Sequence, residues 1–429
     1  MSLSNHERVA VRALDFASPL ARRRYARDDR PPESYNARVT ILLGYGARPL
    51  PLPDVPGARV LLPPVAPPVA ELAAALDAAL AHPVGARPLA SVATARTRVV
   101  VIVSDSSRDE PRSELFSAVR RALAAVPDDH LTVAVANGTH GPKPLERLGL
   151  PEEVLRRHRV VNHDARDDAS MVEMGRTSRG TRIRVNRCVA EADLVVSTGK
   201  VKPHYFAGWG GGAKGIFPGL GHDVDIRQNH KLKADPASAL GRADGNPCRE
   251  DIEEAVRRIG RDTYLVNVVE AGATILGAVA GDVVYAHREA VRLARPWCEV
   301  EAAPADIVVV SAPLPVSGSL YQASKLIPPA GLLLREGGVV IVAAECPEGT
   351  GPLKVVNEGI FELGVRRYLP AGATVLLVSG MDEATVRGTY ATYAPDLASA
   401  IARARALVAK SDPSVLVLPD AGDLVPRAG

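Results

Sequence analysis

The sequence predicts an α/β protein of two domains, each built on a mainly parallel sheet, and three observations carry that expectation. Short apolar runs such as Val99–Val103 and Leu131–Ala136 alternate with helical stretches, the pattern of parallel strands covered on both faces. Each run ends in polar residues, Ser104-Asp105 and Asn137-Gly138, where ligands of such sheets bind. The alternation pauses near residues 285–305 and then begins afresh, which puts a domain boundary there.

The elements follow in order. Residues 1–36 are polar and arginine-rich and read as a loosely ordered extension, after which Val39–Leu43 gives the first strand signal. Residues 50–68 are a proline-rich, extended connector, and Ala70–Ala81 combines helical periodicity with good helix formers. The strand Arg98–Val103 leads into an amphipathic helix over Ser113–Ala125 and then the strand Leu131–Ala136. Further strands are expected at Asp193–Ser197, Ile307–Ser311, Gly338–Ala343 and Thr374–Ser379, with a helix over Ala286–Cys298. The domains therefore run 37–300 and 301–429 behind the 1–36 extension, with room for the last helix to pack back on the N-terminal domain.

Composition narrows the function classes. With 429 residues, 46% hydrophobic and 24% charged, the chain can bury a core without disulfides or a structural metal. A net charge of +3, from 52 basic and 49 acidic residues, is too balanced for a dedicated nucleic-acid binder. The start MSLSNHERVAVRALDF lacks a secretion signal, and no apolar run nears the roughly 20 residues that span a bilayer. A cytoplasmic protein with neither membrane nor nucleic-acid partner is expected. Cys188, Cys248, Cys298 and Cys346 form no CxxC pair and read as reduced thiols.

Nine of the 52 basic residues are lysines, and five of those nine lie between 200 and 233. That window overlaps the glycine-rich run from Ser197 to His230, which follows a strand and carries His204, Lys214, His222 and His230. Glycine lets backbone N–H groups approach a ligand closely, as in a phosphate cradle, although a flexible hairpin is the plainer alternative. Lys214 is followed by Gly215, so the run is not a Walker A loop.

Three other segments carry chemistry. Asp105-Ser106-Ser107-Arg108 combines acid, hydroxyl and guanidinium at a strand end, suited to an oxyanion or equally to a helix cap. Gly138-Thr139-His140 offers a histidine that can be a base, an acid or merely a solvated loop residue. Tyr321, Gln322 and Lys325 share one side of a helix and could grip a carboxylate, or could be an exposed first turn. His163-Asp164 reads as a structural pair.

Together these segments resemble the nickel-dependent lactate racemase family. Its D-x-[ST]-R stretch matches Asp105-Ser106-Ser107-Arg108, and its GTH motif matches Gly138-Thr139-His140. The signature PH-x-x-AG-x-x-GG-x-K-x-x-x-PG is matched by Pro203-His204, Ala207-Gly208, Gly211-Gly212, Lys214 and Pro218-Gly219, followed by His230. A Y-Q-x-x-K stretch matches Tyr321-Gln322 and Lys325. The chain departs from the pattern at Asp109, Gly141 and Lys202, changes that bear on substrate more than on cofactor.

The resemblance implies an active site in the cleft between two α/β domains, the first of which binds the cofactor. It implies a nickel pincer nucleotide (a pyridinium-3,5-bisthiocarboxylic acid mononucleotide) joined covalently to Lys214, with His230 as the protein ligand to nickel. Asp105, Ser107 and Arg108 would contact the cofactor, and Arg108, Tyr321, Gln322 and Lys325 the substrate. His140 and His204 would be the acid/base pair of a racemase or epimerase that inverts a 2-hydroxy acid by reversible hydride transfer. Proteins that make the cofactor would be its partners. Two other readings stay open: a nicotinamide-dependent 2-hydroxy acid dehydrogenase, for which Lys214 is dispensable, and a nickel- or cofactor-binding protein without turnover.

Overall fold

A computed structural model of the chain describes residues 41–429, so the extension over 1–36 and the start of the Val39–Leu43 strand lie outside the described residues. Two six-stranded sheets organise the rest. The first runs in the order 274–281, 262–271, 194–201, 99–104, 131–136, 159–162. All its neighbours are parallel except the hairpin joining Asp262–Ala271 to Thr274–Gly281. The second sheet, ordered 392–394, 374–378, 334–343, 305–311, 415–418, 59–60, is wholly parallel.

Alternating side chains on the central strand Val99–Ser104 serve two layers, as a strand's period of two requires. Val99, Val101 and Val103 pack on Leu115, Phe116 and Val119 of the helix Arg112–Ala122. Val100 and Ile102 face Ile216, Phe217 and Leu220, so the glycine-rich run forms the layer on the opposite face. Burying each such side chain contributes roughly 1.5–3 kcal/mol. That run is therefore anchored by its apolar residues.

Two domain assignments need correction. Arg59–Val60 pairs in parallel with Leu416-Val417, and Leu43 and Leu52 share a core with Ile307 and Val309. The first described residues thus belong to the second sheet, so the N-terminal unit does not start at 37. The helix Leu397–Val408 stays on the second sheet through Leu397, Ala400 and Ile401. The strand Val425–Ala428 returns instead, pairing with Glu299–Ala302, while Val425 packs beside Val201 and Trp209. Each unit borrows one end of the other's chain, so the two are fastened together twice. No helix among the described residues is long and apolar enough to cross a membrane.

Candidate active site

The turn after Val99–Ser104 is shaped by Arg112, at the start of the next helix. Its guanidinium donates to the carbonyls of Ser104, Asp105, Arg108 and Leu148, fixing the Asp105–Arg108 backbone from within. The helix cap is Pro111, without a side-chain cap bond, so Ser106, Ser107 and Asp109 do not cap it. Asp105 is buried and accepts from the Ser107 N–H at 2.6 Å through Oδ1. Its other oxygen lies 3.0 Å from His140 Nδ1. Burial alone would raise this carboxyl, but the His140 and Ser107 hydrogen bonds and Arg108 hold it well below the usual carboxylate range. A carboxylate so held makes Nδ1 of His140 the protonated nitrogen and leaves Nε2 with its lone pair.

His140 belongs to a turn tied down on two sides. Asn137 donates to the carbonyl of His163 at 2.6 Å, and the Gly138 N–H donates to Gly219 O at 2.9 Å. His163 is buried, with Nε2 donating to Gly221 O at 3.0 Å, and Asp164 instead accepts from the Arg166 N–H. That pair is structural.

His204 lies in a short hairpin in which Pro203-His204 pairs with Gly208-Trp209. At its tip Phe206, which is 4% exposed, forms a hub. The His204 ring sits 4.6 Å and the His230 ring 4.9 Å from it, both edge-on, and the Lys214 and Lys233 amines lie 5.7 and 5.6 Å from its centre. His204 Nδ1 accepts from the Ala207 N–H at 3.3 Å. Burial, then the charges of Lys214, Lys325 and Arg108, push the His204 imidazole well below its ordinary value. His230 closes the helix Asp223–His230 and is likewise pushed well down by burial, then by Lys233 and Lys214.

Lys214 has no hydrogen-bond or ion-pair partner among the described residues, and its amine lies over the Phe206 ring. Burial and the nearby Arg249 and Arg108 charges push it well below the ordinary lysine value, toward a neutral nucleophile. The glycines around it serve packing. N–H groups of Gly210, Gly212, Gly219 and Gly221 already donate within the protein, so they do not form a phosphate cradle. At Gly212, φ is +67° and a Cβ would come within 2.8 Å of the buried His287 ring. His287 in turn bonds Gly210 O at 2.9 Å.

The turn Leu320–Ala323 and the residues after it carry Tyr321, Gln322 and Lys325, and the Lys325 charge is felt at His204 and Lys214. The Lys325 amine donates to Gln322 Oε1 at 2.5 Å and lies 5.3 Å above the Tyr321 ring. Burial, then Arg108, Lys233 and Lys202, lower it to about 7, while Asp105 opposes them. Arg108 thus acts on Lys214, His204 and Lys325 alike, and its charge disfavours theirs. Lys200 and Lys202 do not join the free cations, because they pair with Glu270 at 2.6 Å and Asp423 at 3.1 Å.

Three features fit the expected cofactor. Ser107 Oγ is buried without a partner, an orphan hydroxyl beside Arg108 that an oxyanion would satisfy. The Lys214 amine is free to be acylated. No group of three or more His, Cys, Asp or Glu side chains among the described residues could hold a metal ion. Sulfur donors of a non-protein group beside one imidazole would suit nickel at His230. The residues present fit that group.

Sequence reasoning missed Phe206, Arg112, Arg249 and Asn229. Arg249 is fully buried and donates to the carbonyls of Ala207, Trp209 and Gly211, holding the glycine-rich run around Lys214. Only its place at the start of an amphipathic helix, after the cap Asn246, hinted at a buried role.

The lactate racemase N-terminal domain family matches residues 43–241. Lactate racemase of Thermoanaerobacterium thermosaccharolyticum is 27% identical over 384 residues, covering 81% of this chain and 89% of the relative. That of Lactiplantibacillus plantarum is 30% identical over 283 residues, 64% of this chain and 66% of the relative. The lactate racemase apoprotein structure from T. thermosaccharolyticum superposes with a TM-score of 0.79 at 26% identity, over 91% of this chain and 100% of that one. A Thermotoga maritima protein, with a TM-score of 0.63 at 16% identity, shares the fold. The chain is similar to lactate racemases in sequence and in fold, and that similarity supports an isomerase, a racemase by class.

Proposed function

We propose that this racemase inverts a 2-hydroxy acid through a planar 2-keto acid, using a nickel pincer nucleotide joined to Lys214, with His230 as protein ligand to the nickel. The observation that carries the reading is the Asp105–His140 pair, 3.0 Å apart, with Arg108 acting on both Asp105 and the unpartnered Lys214 amine. Lactate is the first substrate to test, since both named relatives are lactate racemases.

The C–H bond at a 2-hydroxy carbon is too weakly acidic for ordinary deprotonation. When bound, the nucleotide supplies a reversible hydride acceptor that avoids that step. The chain's own residues manage the charge and the protons. Arg108 and Lys325 hold the substrate carboxylate, with Gln322 orienting the Lys325 amine and Tyr321 flanking it. His140 takes the hydroxyl proton on Nε2, because Asp105 fixes the proton on Nδ1 and stabilises the imidazolium that forms.

His204 is the second proton carrier. In the resting arrangement the Ala207 N–H occupies its Nδ1, so Nε2 carries the hydrogen and donates to the substrate oxygen. Delivering a proton from Nε2 as imidazolium, or accepting one there as base for the opposite enantiomer, both need a hydrogen on Nδ1 and so mean giving up that 3.3 Å bond, a cost of about 1 kcal/mol. The buried Ser107 hydroxyl and the Arg108 guanidinium would contact the cofactor.

Co-expression with the cofactor-making proteins tests the reading. A covalent adduct on Lys214 and one nickel per chain is the expected result, lost in Lys214→Ala. Unmodified chain without nickel under those conditions overturns it.

A further inference from the structure

We infer that Asn229 is a positioning residue for His230, fixing that ring with its hydrogen on Nδ1 so that Nε2 presents a bare lone pair to the metal. The inference rests on the reading of His230 as nickel ligand, and it follows from a buried hydrogen-bond chain that assigns each hydrogen in turn.

The chain starts from groups with fixed roles. The Thr181 backbone N–H donates to Thr177 Oγ1 at 3.0 Å, so the Thr177 hydroxyl hydrogen goes to its other neighbour, Asp251 Oδ1. Asp251 Oδ2 accepts from Asn229 Nδ2 at 2.8 Å. The same Nδ2 faces the Cys248 carbonyl at 3.3 Å. A carbonyl can only accept, so the amide nitrogen must point that way whatever the state of Asp251. Asn229 Oδ1 is thereby turned to His230 Nδ1, 3.1 Å away, and an oxygen there requires a hydrogen on that nitrogen.

The Cys248 thiol, 3.3 Å from the same Oδ1, is a second donor to it, and burial pushes that thiol up to about 12, which keeps its hydrogen in place. Asn229, Asp251 and Cys248 are 0% exposed, so water does not compete for these bonds. A metal-binding histidine commonly donates its far N–H to such an oxygen, which orients the ring, and losing the partner costs about 10–100-fold in metal affinity. Here the oxygen comes from the residue immediately before the ligand. The buried Asp251, on the helix Pro247–Arg258, orients the amide in turn.

The test reads the tautomer directly in the cofactor-free full chain, labelled with 15N-histidine, where the His230 signals are assigned by their loss in His230→Gln. Wild type is expected to carry the His230 hydrogen on Nδ1, and Asn229→Ala to shift toward Nε2–H. In matured enzyme, Asn229→Ala is expected to hold nickel about 10–100-fold less tightly against a chelator. A wild-type His230 protonated on Nε2 overturns the inference without needing any variant to fold. So does unchanged nickel retention in Asn229→Ala. Matured wild-type enzyme that retains no nickel, with the Nδ1–H tautomer present, overturns the nickel reading itself and with it the purpose assigned to the tautomer.

Discussion

His140 Nδ1 and Asp105 Oδ2 are 3.0 Å apart at the ends of two neighbouring parallel strands, and that contact selects the nitrogen of His140 that can act as a base. Asp105→Asn tests it with almost no change of shape. The Ser107 N–H holds the amide oxygen on its own side, so the amide NH2 faces His140 Nδ1 and makes it an acceptor. The proton then moves to Nε2. Racemisation is expected to fall about 10²–10⁴-fold in kcat with the fold retained, measured by chiral chromatography and circular dichroism.

Lys325 gives a pH signature. Its amine is lowered to about 7, so the charge that grips a carboxylate is present below that pH and lost as pH rises through it. Affinity of the cofactor-free chain for a 2-hydroxy acid anion is expected to fall roughly tenfold per pH unit above 7. Titration calorimetry across pH 6–9, roughly the span over which lysine charge is lost here, measures it. Lys325→Arg should flatten the profile, because arginine stays charged throughout.

Arg249 supports the loop around Lys214. Arg249→Met keeps much of the volume but leaves the carbonyls of Ala207, Trp209 and Gly211 without their donor. At about 1–3 kcal/mol per orphaned buried group, a loss of about 3 kcal/mol or more is expected in denaturant unfolding. A loss below about 1 kcal/mol would show that the loop holds its shape by other contacts.

Asp420 lies near the join between the two units, where Asp423 pairs with Lys202. Burial, then Asp423, raise its carboxyl to about 6. A raised carboxyl means the fold binds the proton more tightly than the unfolded chain, so stability falls as pH climbs from about 4 to 6 and stays lower above. Asp420→Asn removes that penalty. It is expected to stabilise the chain by up to ~2–3 kcal/mol at pH 8 and to have little effect near pH 4, as thermal unfolding at the two pH values would reveal.

The buried central strands were legible because runs such as Val99–Val103 have no other use in a chain this polar. The hairpin Asp262–Gly281 was not, since Asn267, Glu270 and Gly277 interrupt its apolar pattern. Arg59–Val60 is too short for any periodicity, and its place in the second sheet depends on partners more than 350 residues away. In the site, titratable residues inside recognisable motifs stood out. Phe206 looked like core, and Arg249 and Asn229 looked like helix surface, because their value lies in which carbonyl or ring they meet. Of the clustered lysines, Lys200 and Lys202 proved to be paired ions, while Lys214 and Lys233 both set an amine against Phe206.

The central claim is that the 2-hydroxy carbon exchanges its hydrogen as hydride while the histidines handle only hydroxyl protons. Matured enzyme given one enantiomer of a 2-deuterated 2-hydroxy acid in ordinary water is the direct test, read by mass spectrometry of both enantiomers. The account expects the inverted product to keep its deuterium at C2. Washout of that deuterium into solvent during inversion would contradict it, because it would mean that a base removes the C2 hydrogen as a proton.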